Sequence, residues 1–168
     1  MEIRTQDGQV MFEAEFRQHT KENGGGTWET TTPEILTSLG AVALLEGPQA
    51  TPTNHYQYSM RDGVEQIDGV WYTKYSLGPV FSDTTVENVT TTAQEHQTAY
   101  QSQKDAEQAK SVRTQRDEKL KATDWTQVAD APVDKTVWAT YRQALRDLPS
   151  ATGFPWDMTW PTEPGAST

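Results

Sequence analysis

The side chains most able to do chemistry in this sequence are three histidines and a dense set of carboxylates. His19, His55 and His96 are scattered, and none has a second ligand at the short spacing that a zinc site needs. Each reads as a polar surface residue. Asp62, Glu65 and Asp68 recur at every third position and present the oxygens that Ca²⁺ prefers. Asp62 and Asp68 also precede glycine, and Asp favours such turns for backbone reasons alone. The stretch NGGGT at 23–27 has the glycines of a phosphate loop, but neither the following Lys-Ser/Thr nor a βαβ setting. A glycosidase-type carboxylate pair requires a rigid scaffold to fix its separation, and none is legible. RTQRDEKLK at 113–121 reads as a solvated helix face with i, i+4 pairs such as Arg113–Asp117. No catalytic, cofactor-binding or metal residue is assigned, and the expectation is a protein that is not an enzyme.

The aromatic residues point elsewhere. Trp125, Trp138, Trp156 and Trp160 crowd into the C-terminal part of an otherwise polar chain. Tryptophan buries a large area at little rotamer cost and is enriched in protein contacts. A protein-interaction set follows: Trp125, Trp138, Tyr141, Leu145, Phe154, Trp156, Met158 and Trp160. In the segment FPWDMTWP, prolines favour an extended chain, so alternate residues share a side. Trp156, Met158 and Trp160 would then form one stripe about 13 Å long at ~3.3 Å per residue. Its expected seat is the helix at 134–148, through Trp138, Tyr141 and Leu145. The same residues also serve as a small local core.

Composition limits what can position these residues. The chain has 168 residues, only 34 % of them hydrophobic, and a mean hydropathy of −0.79. An ordinary domain is nearer ~45–50 % apolar. Such a chain buries a small core and leaves extended parts that need a partner. The formal net charge of −10 repels phosphate backbones and anionic lipid, so neither nucleic acid nor membrane is an expected partner. No apolar run approaches the ~20 residues of a membrane span. MEIRTQDGQ has no basic-then-apolar leader pattern. Cysteine is absent, which removes disulfides, thiolate catalysis and Cys-based zinc sites.

The expected fold class is α+β, in three segments. Residues 1–81 form a small mixed domain. Asp7-Gly8 and Asp68-Gly69 mark hairpins, and Arg61-Asp62-Gly63 marks a further turn. A short helix at 12–22 carries Phe12 and Phe16 on one face. TTPEILTSLG is a helix capped by Thr32, opened by Pro33 and stopped by Gly40, burying Ile35, Leu36 and Leu39. AVALL at 41–45 is a strand. Residues 82–122 are a long polar helix and connector, whose start is ambiguous between Thr84/Glu87 and Thr92/Glu95 capping boxes. Its seam, Val86, Val89, Ala93, His96 and Tyr100, turns polar at Gln103 and resumes at Val112, Arg116 and Leu120. Coiled-coil pairing with copies of itself, as a homotrimer, is expected from that seam. Residues 123–168 hold a second helix, with Val137, Tyr141, Ala144, Leu145 and Leu148 at helical spacing and Trp138 flanking. The Trp/Pro-rich tail and a disordered-looking GAST follow.

Residues 113–164 resemble the C-terminal module of small tail proteins of tailed bacteriophages, the phage tail assembly chaperone-like family, of cyanophage type. The matching residues are Arg116-Asp117, Leu120, Asp124-Trp125, 130–132, Trp138, 141–147, 153–156, Trp160-Pro161 and Pro164. Phe16-Arg17 with His19, 33–40, and 64–71 with Tyr75 resemble the same proteins more loosely, while TKENGGGTWETTT departs from them. The resemblance implies a non-enzymatic structural component of a phage tail, docked on fibre or baseplate subunits and located in the virion tail. The alternative it implies is an assembly chaperone that acts in the host cytoplasm and is not retained in the particle.

Overall fold

In the computed structural model, which describes residues 1–165, the first apolar run folds back on itself at Asp7-Gly8. The reading of GAST as disordered lies, from position 166 on, outside the described residues. β1 (Glu2–Thr5) pairs antiparallel with β2 (Val10–Phe12), and α1 (Glu13–Glu22) follows without a loop. The Phe12 N–H donates to the Glu15 carboxylate over 2.9 Å, which starts the helix. Phe12 therefore ends a strand rather than joining the helix face expected of it. Ile3 pairs with Met11 on the inner side, strand alternation turns Phe12 outward, and it is 60 % exposed while Phe16 is 2 % exposed.

α2 (Pro33–Ser38) forms as its signals require: the Thr32 side chain accepts from the Ile35 N–H, Pro33 takes the first turn, and Leu36 is buried. β3 (Ala41–Leu44) then returns along the free edge of β1, giving the sheet order β2-β1-β3. Ile3, Phe16, Leu36 and Ala41 make the core, with Met11, Trp28, Leu39 and Ala43 around it. The glycine-rich loop is held back by Arg17, which bonds the Glu13 carboxylate, the Trp28 carbonyl and the Thr31 hydroxyl.

β4 (Tyr58–Ile67) and β5 (Val70–Gly78) form a hairpin. Its two turn residues, Asp68 and Gly69, have φ of 47° and 82°, as a tight type I′ turn demands. The turn expected at Arg61-Asp62-Gly63 is instead a bulge inside β4. Arg61 faces Tyr75 and Val64 faces Thr73, so Asp62 and Gly63 together oppose one residue and the strand continues. Leu45 anchors this hairpin through bonds to the Trp71 carbonyl and the Thr73 N–H, 3.0 and 2.8 Å. Arg61 grips the Glu2 carboxylate with both terminal nitrogens, 2.7 and 2.8 Å.

Contacts divide the chain into Met1–Val80 and Phe81–Thr168. The second unit opens with a small hairpin, β6 (Thr84–Val86) and β7 (Val89–Thr91), before α3 (Ala93–Ala122) begins. The capping box at Thr92 and Glu95 is the one used. The Thr84/Glu87 start fails because Thr90, Thr91 and Thr92 are β-branched and favour strand, and the Thr85 and Thr90 hydroxyls bond across the hairpin over 2.9 Å. Val86 and Val89 are consequently off the helix and 69 % exposed. The seam argued for a homotrimer loses both. After α3 come a 3₁₀ turn (Asp124–Gln127), α4 (Lys135–Asp147) and a second 3₁₀ turn (Leu148–Ser150). Asp134 caps α4 by accepting from the Thr136 and Val137 N–H groups. Among the described residues no helix is long and apolar enough to cross a membrane.

Candidate functional site

α4 carries the apolar centre of the second unit. Trp138, Tyr141 and Leu145 are buried, and Leu120, Val133 and Trp160 pack on them. Trp138, Tyr141 and Leu145 form the face expected of them, whereas Val137, read at the same helical spacing, is 48 % exposed. The large indole meets two aromatic neighbours. The Trp138 ring lies 5.9 Å from Tyr141, edge to face, and 6.0 Å from Trp125. Burial raises the Tyr141 pKa above the ordinary tyrosine value, helped by the Glu163 charge. Trp125 remains half exposed.

A charged residue shares this buried face. Arg142 is only 6 % exposed. Its Nη1 donates to the Leu120 carbonyl (2.6 Å) and the Thr123 hydroxyl (2.8 Å), and its Nη2 to Asp124 (2.7 Å). Arg142 thus adds a charged donor at the end of α3, where the Leu120 carbonyl also accepts from the Thr123 N–H and hydroxyl. A search for apolar spacing passes over it. Its signal is positional, because residue 142 lies four after Trp138 and three before Leu145.

The tail does not form the expected Trp-Met-Trp stripe on α4. Residues 152–157 make a turn. Gly153 has φ 83°, and the Trp156 and Asp157 N–H groups both bond its carbonyl at 2.8 and 2.7 Å. That reversal sends Trp156 to α3, where its indole N–H donates to Asp105 over 2.7 Å. The chain then returns along α3, and Trp160 reaches the α4 cluster with Lys119 5.7 Å from its ring centre. Asp105 and Lys119 are some 20 Å apart along the helix at ~1.5 Å per residue, so the two indoles occupy opposite ends of one face. Met158 lies between them, half-buried. Phe154 rests under Arg113, 5.3 Å from guanidinium to ring centre. The expected Arg113–Asp117 pair is replaced by this stack, and Asp117 pairs with its neighbour Arg116.

These contacts explain why the α3 seam looked interrupted. The sheltered face continues through Lys104, Asp105, Gln108, Ala109, Val112, Arg116 and Leu120. Asp105 accepts from Trp156, and Gln108 donates to the Pro155 carbonyl. The tail is aromatic in its rings and polar at its edges, so the helix that receives it is polar too. The structure therefore joins Trp125, Trp138, Tyr141, Leu145 and Trp160 in one cluster and seats Phe154 and Trp156 separately on α3.

The other candidates stay apart. Asp62 lies in the β4 bulge and Asp68 in the hairpin turn. The His96 ring bonds the Thr84 hydroxyl over 2.7 Å. Among the described residues, no three histidine or acidic side chains gather in a group that could hold a metal ion.

The span of this helix–turn–tail arrangement decides the comparison with known proteins. Residues 109–165 match the family described as phage tail assembly chaperone protein. The matched segment begins at Ala109 and Val112, the two buried positions of α3, and runs through the whole tail. It covers about a third of the chain and leaves the Met1–Val80 unit outside. No curated protein and no solved structure matches the chain.

Proposed function

We propose that this chain serves bacteriophage tail assembly as a non-enzymatic chaperone-type factor, binding a fibre or baseplate subunit in the host cytoplasm and then leaving it. The observation that carries the reading is the coincidence of the tail-assembly match with the closed α3–α4–tail module. The docking residues are drawn from the aromatic cluster. Trp160, Tyr141 and Leu145 hold the module together, while Trp125 offers half its surface outward, 50 % exposed, with Val128 and Val137 exposed at 51 and 48 %. A large aromatic braced by a second one is the usual form of an interface anchor.

A second reading, a subunit retained in the virion tail, is favoured by the compact Met1–Val80 unit, which lies outside the matched residues. Co-purification of the full chain with tail proteins expressed from the same phage tests the docking. Trp125→Ala should reduce capture at least tenfold while the melting profile changes little. Unchanged capture would remove Trp125 from the interface. Mass spectrometry of gradient-purified particles then separates the two readings. Abundance in lysate with absence from particles supports the chaperone, and fixed stoichiometry in particles supports the subunit.

A further inference from the structure

We propose that the Met1–Val80 unit carries a binding site for a protein carboxylate, built around Arg4 and Trp71. This inference does not depend on the tail-assembly reading, because the site lies outside residues 109–165.

Strand alternation sets the site. Ile3 turns into the core, so Arg4 projects from the opposite face of β1, beside its cross-strand partner Val42. Trp71 comes from β5 and lies flat against the Arg4 side chain, 3.8 Å from guanidinium carbon to ring centre. The stacked pair lines one side of a pocket of about 250 Å³, bounded also by Gln6, Thr37 and Val42.

The donors of Arg4 are largely unused. Nη1 bonds the Thr5 carbonyl at 3.2 Å, a weak contact to its own neighbour. Nε is shut off from solvent without any partner. Within Met1–Val80, Arg17 and Arg61 each meet a carboxylate, whereas among the described residues none pairs with Arg4. Carboxylates are not in short supply, since the chain has 24 acidic residues against 14 basic ones. A guanidinium sheltered in a pocket and left without an anion in so acidic a chain is set up to receive one from outside.

The chemistry of the site narrows the ligand. A guanidinium stacked on an aromatic ring is held flat, and with Nε closed off the Nη1–Nη2 end is the edge left for a bidentate carboxylate. Trp71 and Val42 supply apolar walls for one or two methylenes. The volume is below the ~300–1,000 Å³ of pockets for drug-sized ligands, which suits an acidic side chain or a chain end. Both present a carboxylate, and the experiment distinguishes them.

The test is an NMR titration of the ¹⁵N-labelled full chain with four probes at equal ionic strength. N-acetyl-glutamate methylamide offers a side-chain carboxylate and N-acetyl-alanine a chain-terminal one. N-acetyl-glutamine methylamide is the neutral control, and sodium phosphate is the control for any anion. The expected result is a saturable shift of the Trp71 indole N–H and the Thr5, Gln6 and Val42 amides, in the millimolar range of affinity, with at least one carboxylate probe. The stronger of the two names the source, and the neutral probe gives none. Arg4→Gln should abolish the shift, and Arg4→Lys, which keeps the charge but loses the fork, should weaken binding by about tenfold. The amide spectra of these variants report whether they fold, and the wild-type titration stands without them. No saturable shift with either carboxylate, equal shifts with phosphate, or unchanged binding in a folded Arg4→Gln variant each overturn the proposal.

Discussion

In Met1–Val80 the buried side chains are small or aliphatic apart from Phe16, and most belong to hydrogen-bonded strands or the short helices on them. In residues 93–165 the aromatic Trp138 and Tyr141 are buried together with Ala109, Val112, Leu145 and Leu148, on helices and 3₁₀ turns with no sheet beneath them. The first region closes by backbone ladders, with a polar seam of Glu2–Arg61 and Arg4–Trp71 joining its hairpin to its sheet. The second closes by large rings whose polar edges are answered one by one, Trp156 by Asp105 and the end of α3 by Arg142. Both are responses to the same scarcity of apolar residues. A ladder tolerates a thin core because its bonds are made whatever the side chains are. Helices packed through a few aromatics depend on each buried one, here Trp138 and Tyr141.

The sharpest way to break this comparison is to open both cores. Ile3 and Leu145 are each 0 % exposed. Truncating either to alanine should cost about 2–5 kcal/mol. The two losses should appear in different transitions, because contacts separate the units. Calorimetry of Ile3→Ala should lower one component and leave the other, and Leu145→Ala the reverse. A single transition lowered by both variants would mean that the two regions fold as one.

The next largest effect is asymmetric. Arg142 and Asp124 form one ion pair, but Arg142 is buried and the Asp124 side chain is 67 % exposed. Arg142→Leu removes the charge-assisted hydrogen bonds that tie α4 to Leu120, Thr123 and Asp124 and should cost about 2–3 kcal/mol. Asp124→Asn gives up only a solvated partner, and should cost less than about 1 kcal/mol. Urea denaturation of the two variants measures the difference. Equal costs would make the ion pair, rather than the capping of α3, the source of stability.

These two cases also mark what the sequence made legible. The α+β class, the cap of α2 and the Asp68-Gly69 turn were open to reading, because the local signals depend on residues within a few positions of one another. The aromatic cluster of α4 was open as well, through Trp138, Tyr141 and Leu145, while Val137, read at the same helical spacing, is exposed. Hidden features depend on partners far along the chain. Lys104, Asp105 and Gln108 look like a break in a seam until the tail residues that they face are known. Arg142 looks like a surface charge until Leu120 and Thr123 are placed beside it. The extended stripe failed at Gly153, where a single left-handed residue redirected the tail. The Val86–Val89 seam failed because local β preference at three threonines outweighed the helical composition that follows.

Gly153 gives a smaller and more local test. A methyl group there would come within 2.8 Å of the Asp157 carbonyl and would strain a backbone at φ 83°. Gly153→Ala should cost about 1–2 kcal/mol. Trp156→Phe, which removes the N–H facing Asp105, should cost about 1 kcal/mol. Both should loosen the tail and leave the Met1–Val80 transition unmoved. A shift in that transition would tie the tail to the first unit.

The smallest expected effect is a dependence on acid that falls on the first unit. Arg61, hydrogen-bonded to the Glu2 carboxylate, holds the Glu2 pKa below the ordinary glutamate value, against a smaller opposing contribution from burial. The same bond raises the Arg61 pKa, with the charges of Tyr75 and Glu46 adding to it. A carboxyl depressed in the folded state binds fewer protons there than in the unfolded chain. Its contribution is therefore complete above the unfolded value and is lost as the pH falls through the folded one, which places the loss below about pH 4. The Arg61 side chain is 42 % exposed, so solvent screening keeps the whole effect under about 1 kcal/mol. Glu2→Gln should lower the Met1–Val80 transition slightly at pH 7 and not at all near pH 2, where wild type has lost the pair. In the second unit the Thr92 hydrogen bonds depress Glu95 in the same direction, so both transitions soften in acid, but only the first should change its pH slope when Glu2 is replaced. A Glu2→Gln variant whose deficit is the same at pH 7 and pH 2 would show that Arg61 contributes through packing against the sheet and not through its charge.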